Sequence, residues 1–192
     1  MEDQGNMPVQ PRESCFTVDE YHQLVERGLL SEDSPVELIE GEVVRMSPIG
    51  SRHAGVVKRS STYLHRLLAD IVIVSVQDPI RLSDVSEPQP DIALLRPRED
   101  FYSNSHPGPG DVLVVIEVAD ESLRFDRTVK LPLYARARIP QVWLINLRKN
   151  VVEIHSEPKD GRYQKSVSRL RGDGLVIPEL PDFSLKVEDL LG

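Results

Sequence analysis

The chain has 192 residues, 40% of them hydrophobic and 28% charged, with a formal net charge of −8. That is the composition of a soluble globular protein large enough to bury a substantial core within one ordinary domain. Cys15 is the only cysteine, which excludes an intramolecular disulfide and a cysteine-based zinc site. No apolar run approaches the length of a membrane span and the acidic N-terminus does not read as a signal peptide, so no membrane partner and a cytoplasmic location are expected.

In chain order, residues 1–15 are polar, contain Pro8 and Pro11 and show no period, so they are expected to be a disordered tail ahead of a single domain over 16–192. "FTVDEYHQLVERGLL" predicts a short helix. Thr17 and Glu20 have capping-box spacing, and Phe16 and Tyr21 the spacing of a hydrophobic staple. "VELIEGEVVRM" alternates about Gly41 as a strand or hairpin, and apolar residues recur at helical spacing from Arg52 to Ala69. "DIVIVSVQDPIRL" is predicted as a strand and "PDIALL" as a short one. A proline- and glycine-rich connector, "RPREDFYSNSHPGPGD", leads into the nearly pure apolar strand "VLVVIEV". A helix is expected over Leu123 to Ala137, kinked or late-starting because Pro132 lies inside it. "QVWLINL" and "VVEIHSE" follow as strands, a turn at "KDG" leads to "RYQKSVSRL", and "VEDLLG" closes the chain as a helical turn. This order predicts an α/β fold of mixed α+β type, a mixed central sheet flanked by helices.

Charge is unevenly distributed. Val43 to Ala69 carries Arg45, Arg52, Lys58, Arg59 and Arg66 with no acid, and Ser122 to Asn150 is also strongly basic, with Asp126 as its one acid. Two basic segments in an acidic chain are expected to line one positive face, the alternative being solvated helix surfaces.

The residues that carry chemistry are carboxylates placed against apolar strands. Glu117 sits at the end of "VLVVIEV" and Asp91 at the start of "DIALL". A carboxylate beside Val and Ile costs several kcal/mol unless it is paired. If these strands are antiparallel neighbours, the two acids meet at one edge of the sheet, where a hard divalent cation such as Mg²⁺ relieves their repulsion. Lys130, on the following helix, is expected near the same end. Two acids and an amine around one cation form a kit for phosphodiester hydrolysis: the metal activates water and neutralises phosphoryl charge, and the lysine steadies charge as it develops.

At these residues the chain resembles the PD-(D/E)xK nuclease superfamily, and more closely the Uma2 family of restriction-type endonucleases. The resemblance runs from about Phe16 to the C-terminus and rests on "VELIEGEVVRMSPIGSRH", "EPQPDIALL", "IEVADESLRFDRTVKLPLYA" and "IPQVWLIN". It implies a restriction-endonuclease-like core that hydrolyses DNA with Mg²⁺ or Mn²⁺. Asp91 and Glu117 would be the metal ligands. The lysine is displaced from its usual strand position, occupied here by Ala119, to Lys130, and Glu37, Glu40 and His53 match further family positions near the site. The chain departs from the pattern at Arg138, where glycine is preferred, at Gln141 and Val142 in place of Glu-Tyr, and at Asn146 in place of aspartate. A single site cuts one strand, so double-strand cleavage would favour a homodimer.

Plainer readings stand beside these. Glu117 as a strand-end acid in water, Asp91 as a turn cap after Pro90, and Asp126 with Lys130 as a surface ion pair four residues apart need no ligand. His53 as a polar first-turn residue, Glu37 as a strand-flanking acid, Glu40 as a turn residue, and Tyr134 and Trp143 as core complete that view. At the level of the whole chain, the rivals to a nuclease are a catalytically inactive nucleic-acid-binding or interaction module that retains the fold, and an oligomeric scaffold.

Overall fold

The computed structural model describes residues 15–31, 34–68 and 71–192. The tail expected over 1–15 lies outside the described residues except for Cys15, which is exposed and donates from Sγ to the Glu40 carbonyl.

The first helix, α1 (Val18–Glu26), begins at the anticipated capping box: the Thr17 hydroxyl accepts from the Glu20 N–H while the Glu20 carboxylate accepts from the Thr17 N–H. β1 (Val36–Ile39) and β2 (Glu42–Arg45) form an antiparallel hairpin whose turn, Glu40-Gly41, has φ of 51° and 83°. Positive φ at both central residues matches the twist of the flanking strands, and Gly41 takes it without strain.

α2 (Ser51–Leu68) then packs one face of a six-stranded sheet in the order β3-β4-β5-β6-β7-β8. Its members are β3 (Ile73–Val76), β4 (Ile92–Leu95), β5 (Val112–Ala119), β6 (Gln141–Asn146), β7 (Val151–Lys159) and β8 (Arg162–Arg169). All neighbours are antiparallel except β5 and β6. That parallel pair requires a crossover, which residues 120–140 supply. With helices on both faces, β5 and β6 are buried throughout, hence their continuous apolar runs. The mixed α+β architecture expected from the sequence is present.

Three elements differ from expectation. The strand expected over "DIVIVSVQDPIRL", whose first residue lies outside the described residues, is regular among the described ones only at Ile73–Val76. Gln77 turns to a φ of 57°, and the chain to Asp91 is irregular, held by bonds such as Glu87 N–H to the Leu38 carbonyl. The crossover helix starts at Leu123 as expected, but comprises α3 (Leu123–Phe125), a π-type turn (Asp126–Lys130) and α4 (Leu131–Arg136). The Leu131 N–H donates to the Asp126 carbonyl five residues back. Pro132 has no N–H to offer Thr128, so the α ladder is broken at this point and a wider turn is accommodated. Finally, β9 (Gly174–Ile177) and β10 (Leu180–Lys186) make a hairpin that the sequence reading missed, followed by the expected terminal helix α5 (Val187–Leu191).

Two cores result. Val114, Ile116 and Val118 of β5 join α2, α5 and the β9-β10 hairpin on one face. Val115, with Ala93 and Leu95 of β4, joins Leu133, Tyr134 and Ile139 on the other. Side chains alternate along a strand, so Glu117 belongs to the second face, beneath the crossover helix.

Candidate active site

The last pair between β4 and β5 is Ile92 opposite Ile116, so one step further Asp91 stands opposite Glu117. By alternation both carboxylates leave the sheet on the same face, and both line one cleft of about 1080 Å³ with Glu37, His53, Asp126 and Lys130. The edge-to-edge meeting expected of Asp91 and Glu117 is therefore realised.

Asp91 is held from two sides. Its Oδ2 accepts from the Val118 N–H at 2.8 Å, and its Oδ1 lies 2.8 Å from His53 Nε2. The hydrogen bond to Asp91 raises the His53 pKa, against the opposing effect of burial. Glu117 is almost wholly buried. Its Oε1 accepts from the Tyr134 hydroxyl at 2.6 Å and lies 3.2 Å from Lys130 Nζ. Burial pushes the Glu117 carboxyl up to about 8: Asp126 and Asp91 push the same way, and Lys130 and the tyrosine hydrogen bond only partly oppose them. Lys130 is pushed up too. Burial acts against its charge, but Glu117 and Glu37 outweigh that, so the ammonium stays protonated.

Lys130 is no surface partner of Asp126, as the plainer reading held. Both residues are buried, the lysine contacts Glu37 Oε2 at 3.1 Å, and Asp126 accepts from the Ser122 hydroxyl at 2.7 Å. Both side chains lie on the π-type turn and are buried there. Burial raises the Asp126 carboxyl, with the Ser122 bond and Lys130 opposing. Glu37, on β1, is 2% exposed and also accepts from the Gln89 N–H at 3.1 Å, so it is a paired interior acid. Glu40 lies elsewhere: more than half exposed, it pairs with Arg136 at the hairpin turn.

The basic face expected around this cleft is only partly there. Arg45, Arg124 and Lys130 line it, facing six acids: Glu37, Asp91, Glu117, Asp120, Glu121 and Asp126. Arg52 instead donates to the Leu147 carbonyl, Arg127 grips Glu153 and Arg136 holds Glu40. Those guanidiniums are used up in tying elements together. Tyr134 and Gln77 were not singled out as site residues. Tyr134 does belong to the core, but its hydroxyl ends on Glu117, and the Gln77 amide is 3.4 Å from Asp91 Oδ1. A tyrosine four residues beyond a buried lysine, on a helix crossing the sheet, was the one available signal.

The family departures have local explanations. Arg138 adopts a φ of 60°, the left-handed conformation that favours glycine. Asn146 donates to Glu153 at 3.0 Å, and Gln141 accepts from the Trp143 indole at 2.7 Å.

The fold is thus a mixed α+β architecture, a central mixed sheet flanked by helices, with paired acids at one edge and a lysine on the crossover helix. A family model described as "Uma2: Putative restriction endonuclease" matches residues 18–188, and the chain belongs to that family. Among solved structures, a "putative nuclease belonging to DUF820" from Anabaena variabilis ATCC 29413 superposes with a TM-score of 0.69 at 17% identity, covering 92% of this chain and 97% of that one. No curated relative matches the chain. Among the described residues, no helix is long and apolar enough to cross a membrane.

Proposed function

We propose that the chain is a metal-dependent endonuclease that hydrolyses DNA phosphodiester bonds, with residues 16–192 as its single catalytic domain. The observation that supports it best is the convergence of Asp91 and Glu117 on one cleft with a buried, charged Lys130. The donor set fits Mg²⁺ or Mn²⁺: carboxylate oxygens predominate, and six acids against three basic side chains leave a charge deficit that a divalent cation makes good. Asp91 and Glu117 would hold it. When bound, the cation would supply Lewis-acid stabilisation of the phosphoryl group and a lowered pKa for attacking water.

The remaining steps belong to the chain. His53 and the Val118 N–H orient Asp91, and Tyr134 orients Glu117 by its Oε1, leaving Oε2 for ligation. Glu37 holds the Lys130 ammonium through its Oε2 at 3.1 Å, keeping it in the cleft where charge would grow on the phosphate in the transition state. Burial favours the protonated form of Glu117, which would have to release that proton to hold a cation, so metal loading would be favoured by rising pH. Arg45 and Arg124 on the cleft wall would take flanking phosphates. Cleavage of both strands from one site per chain favours a homodimer, and a DNA substrate a cytoplasmic setting.

The test is incubation with plasmid and oligonucleotide substrates in Mg²⁺ or Mn²⁺ beside Asp91→Ala. Metal-dependent cleavage abolished by the substitution is expected; cleavage that survives it would place the chemistry elsewhere.

A further inference from the structure

Away from the cleft, three segments meet around a carboxylate that lacks enough partners. His22 comes from α1, Glu87 from the irregular chain between β3 and β4, and His106 from the connector before β5. One ligand atom from each lies within 4.8 Å of the others. The two imidazoles stand edge to face, with ring centroids 6.1 Å apart at 74°. His22 Nε2 is 2.6 Å from Glu87 Oε1. The Glu87 side chain is only 2% exposed, and its other oxygen, Oε2, is buried with no hydrogen-bond partner. Leaving a buried carboxylate oxygen unsatisfied is costly, and one imidazole contact does not remove the cost. Arg81 lines the same pocket of about 390 Å³, yet its guanidinium is committed to Asp19 at 3.0 Å and Asp84 at 3.4 Å.

We propose that His22, Glu87 and His106 form a second metal centre, taking a borderline divalent cation of the Zn²⁺ type. Two imidazole nitrogens and one carboxylate suit such an ion, whereas Mg²⁺ prefers all-oxygen surroundings. The pocket shares no lining residue with the cleft of Asp91 and Glu117, so the two sites are separate. Tetrahedral coordination with metal–ligand bonds of about 2.0–2.2 Å sets donor atoms roughly 3.4 Å apart. His22 and Glu87 therefore need to spread by less than about 1 Å, and the proton between them leaves as the metal enters. His22 and His106 reach solvent, so the fourth position goes to water. Glu87 is anchored from behind by its N–H to the Leu38 carbonyl of β1. The ion ties α1 and the 96–111 connector to that strand, a structural clamp independent of the nuclease reading.

The experiment uses the full chain stripped with chelator and titrated with Zn²⁺, Mg²⁺ and, as a spectroscopic probe, Co²⁺. One equivalent of Zn²⁺ is expected to raise Tm, and one of Co²⁺ to give four-coordinate visible absorption that Zn²⁺ displaces. His106→Gln, a change on an exposed loop, is expected to weaken Zn²⁺ binding tenfold or more while leaving the thermal response to Mn²⁺ intact. Glu87→Gln is expected to remove the Zn²⁺-induced rise in Tm. Asp91→Ala is expected to keep the Zn²⁺ response. Zn²⁺ binding unchanged in His106→Gln, or lost in Asp91→Ala and kept in His106→Gln, would overturn the assignment, as would no stoichiometric Zn²⁺ binding by the unaltered chain.

Discussion

Replacing Lys130 by Met keeps much of the packed stem and deletes an ammonium that sits 3.1 Å from Glu37 and 3.2 Å from Glu117. Those carboxylates are 2% and 4% exposed, so water cannot take over. Glu117 already favours its protonated form, so the surplus negative charge is then relieved by protonating Glu37. Starting from the ordinary glutamate value of 4.5, that uptake costs about 3 kcal/mol at pH 7 and roughly 1 kcal/mol near pH 5.5. The first figure sits at the lower edge of the range for orphaning a buried charge, about 3–5 kcal/mol. Relief of the lysine's own desolvation trims it, so Lys130→Met should lose about 2–3 kcal/mol at pH 7. The variant's folded state binds the extra proton, so its deficit grows with rising pH and shrinks toward pH 5.5. Adding Glu37→Gln should restore most of the loss. If Lys130 also steadies transition-state charge, kcat should fall on the order of a hundred-fold even where the protein is fully folded. Urea unfolding at both pH values and single-turnover cleavage in Mn²⁺ give the two readouts. Unaltered stability at pH 7, or a deficit that grows as pH falls, would refute the counter-ion argument. Full cleavage would remove Lys130 from the mechanism.

Other outcomes follow from particular contacts. Asp91→Ala should lose both cleavage and the rise in Tm on adding Mn²⁺; a retained Mn²⁺ shift would put the cation elsewhere. Tyr134→Phe deletes a hydroxyl that donates to Glu117 at 2.6 Å, which should cost about 1 kcal/mol and raise the Mn²⁺ concentration needed for half-maximal activity, because Glu117 then keeps its proton more firmly. Burial pushes Glu153 up, but hydrogen bonds from Arg127 and Asn146 outweigh it and hold the carboxyl below its usual value. A depressed acid stabilises the fold above its unfolded pKa and loses that contribution as pH falls through the folded one, so Arg127→Ala should flatten the acid limb of the stability profile below about pH 4.5. Arg138→Gly relieves a φ of 60° and should stabilise by about 0.5–1 kcal/mol at most, offset by glycine's greater unfolded-state freedom; a clear loss of stability would show that the arginine side chain matters.

What the sequence determined by itself is what depends on local pattern. Local pattern placed α1, the β1-β2 hairpin, α2, β4, β5, β6 and β7, because side-chain alternation, capping and helical spacing are written into consecutive residues. Asp91 and Glu117 were legible as a pair because each interrupts or borders an apolar run where a carboxylate needs a partner, and the resemblance to Uma2 chains pointed to the same residues. The β9-β10 hairpin was not legible: its burial alternates over only a few residues, with prolines at 178 and 181, and its pairing is decided by packing Leu175, Ile177 and Leu185 against the α2 side of the sheet. The partners of Lys130 were equally hidden. Sequence spacing offers Asp126, four residues away. The contacts made are to Glu37, ninety-odd positions upstream, and to Glu117 on β5, which the fold brings beneath the crossover helix. The same holds for the positive face, since which arginines remain free for a ligand depends on which carboxylates and carbonyls the fold brings to them. Local order follows from neighbours along the chain, whereas the charge balance of a cleft is set by residues that meet only after folding.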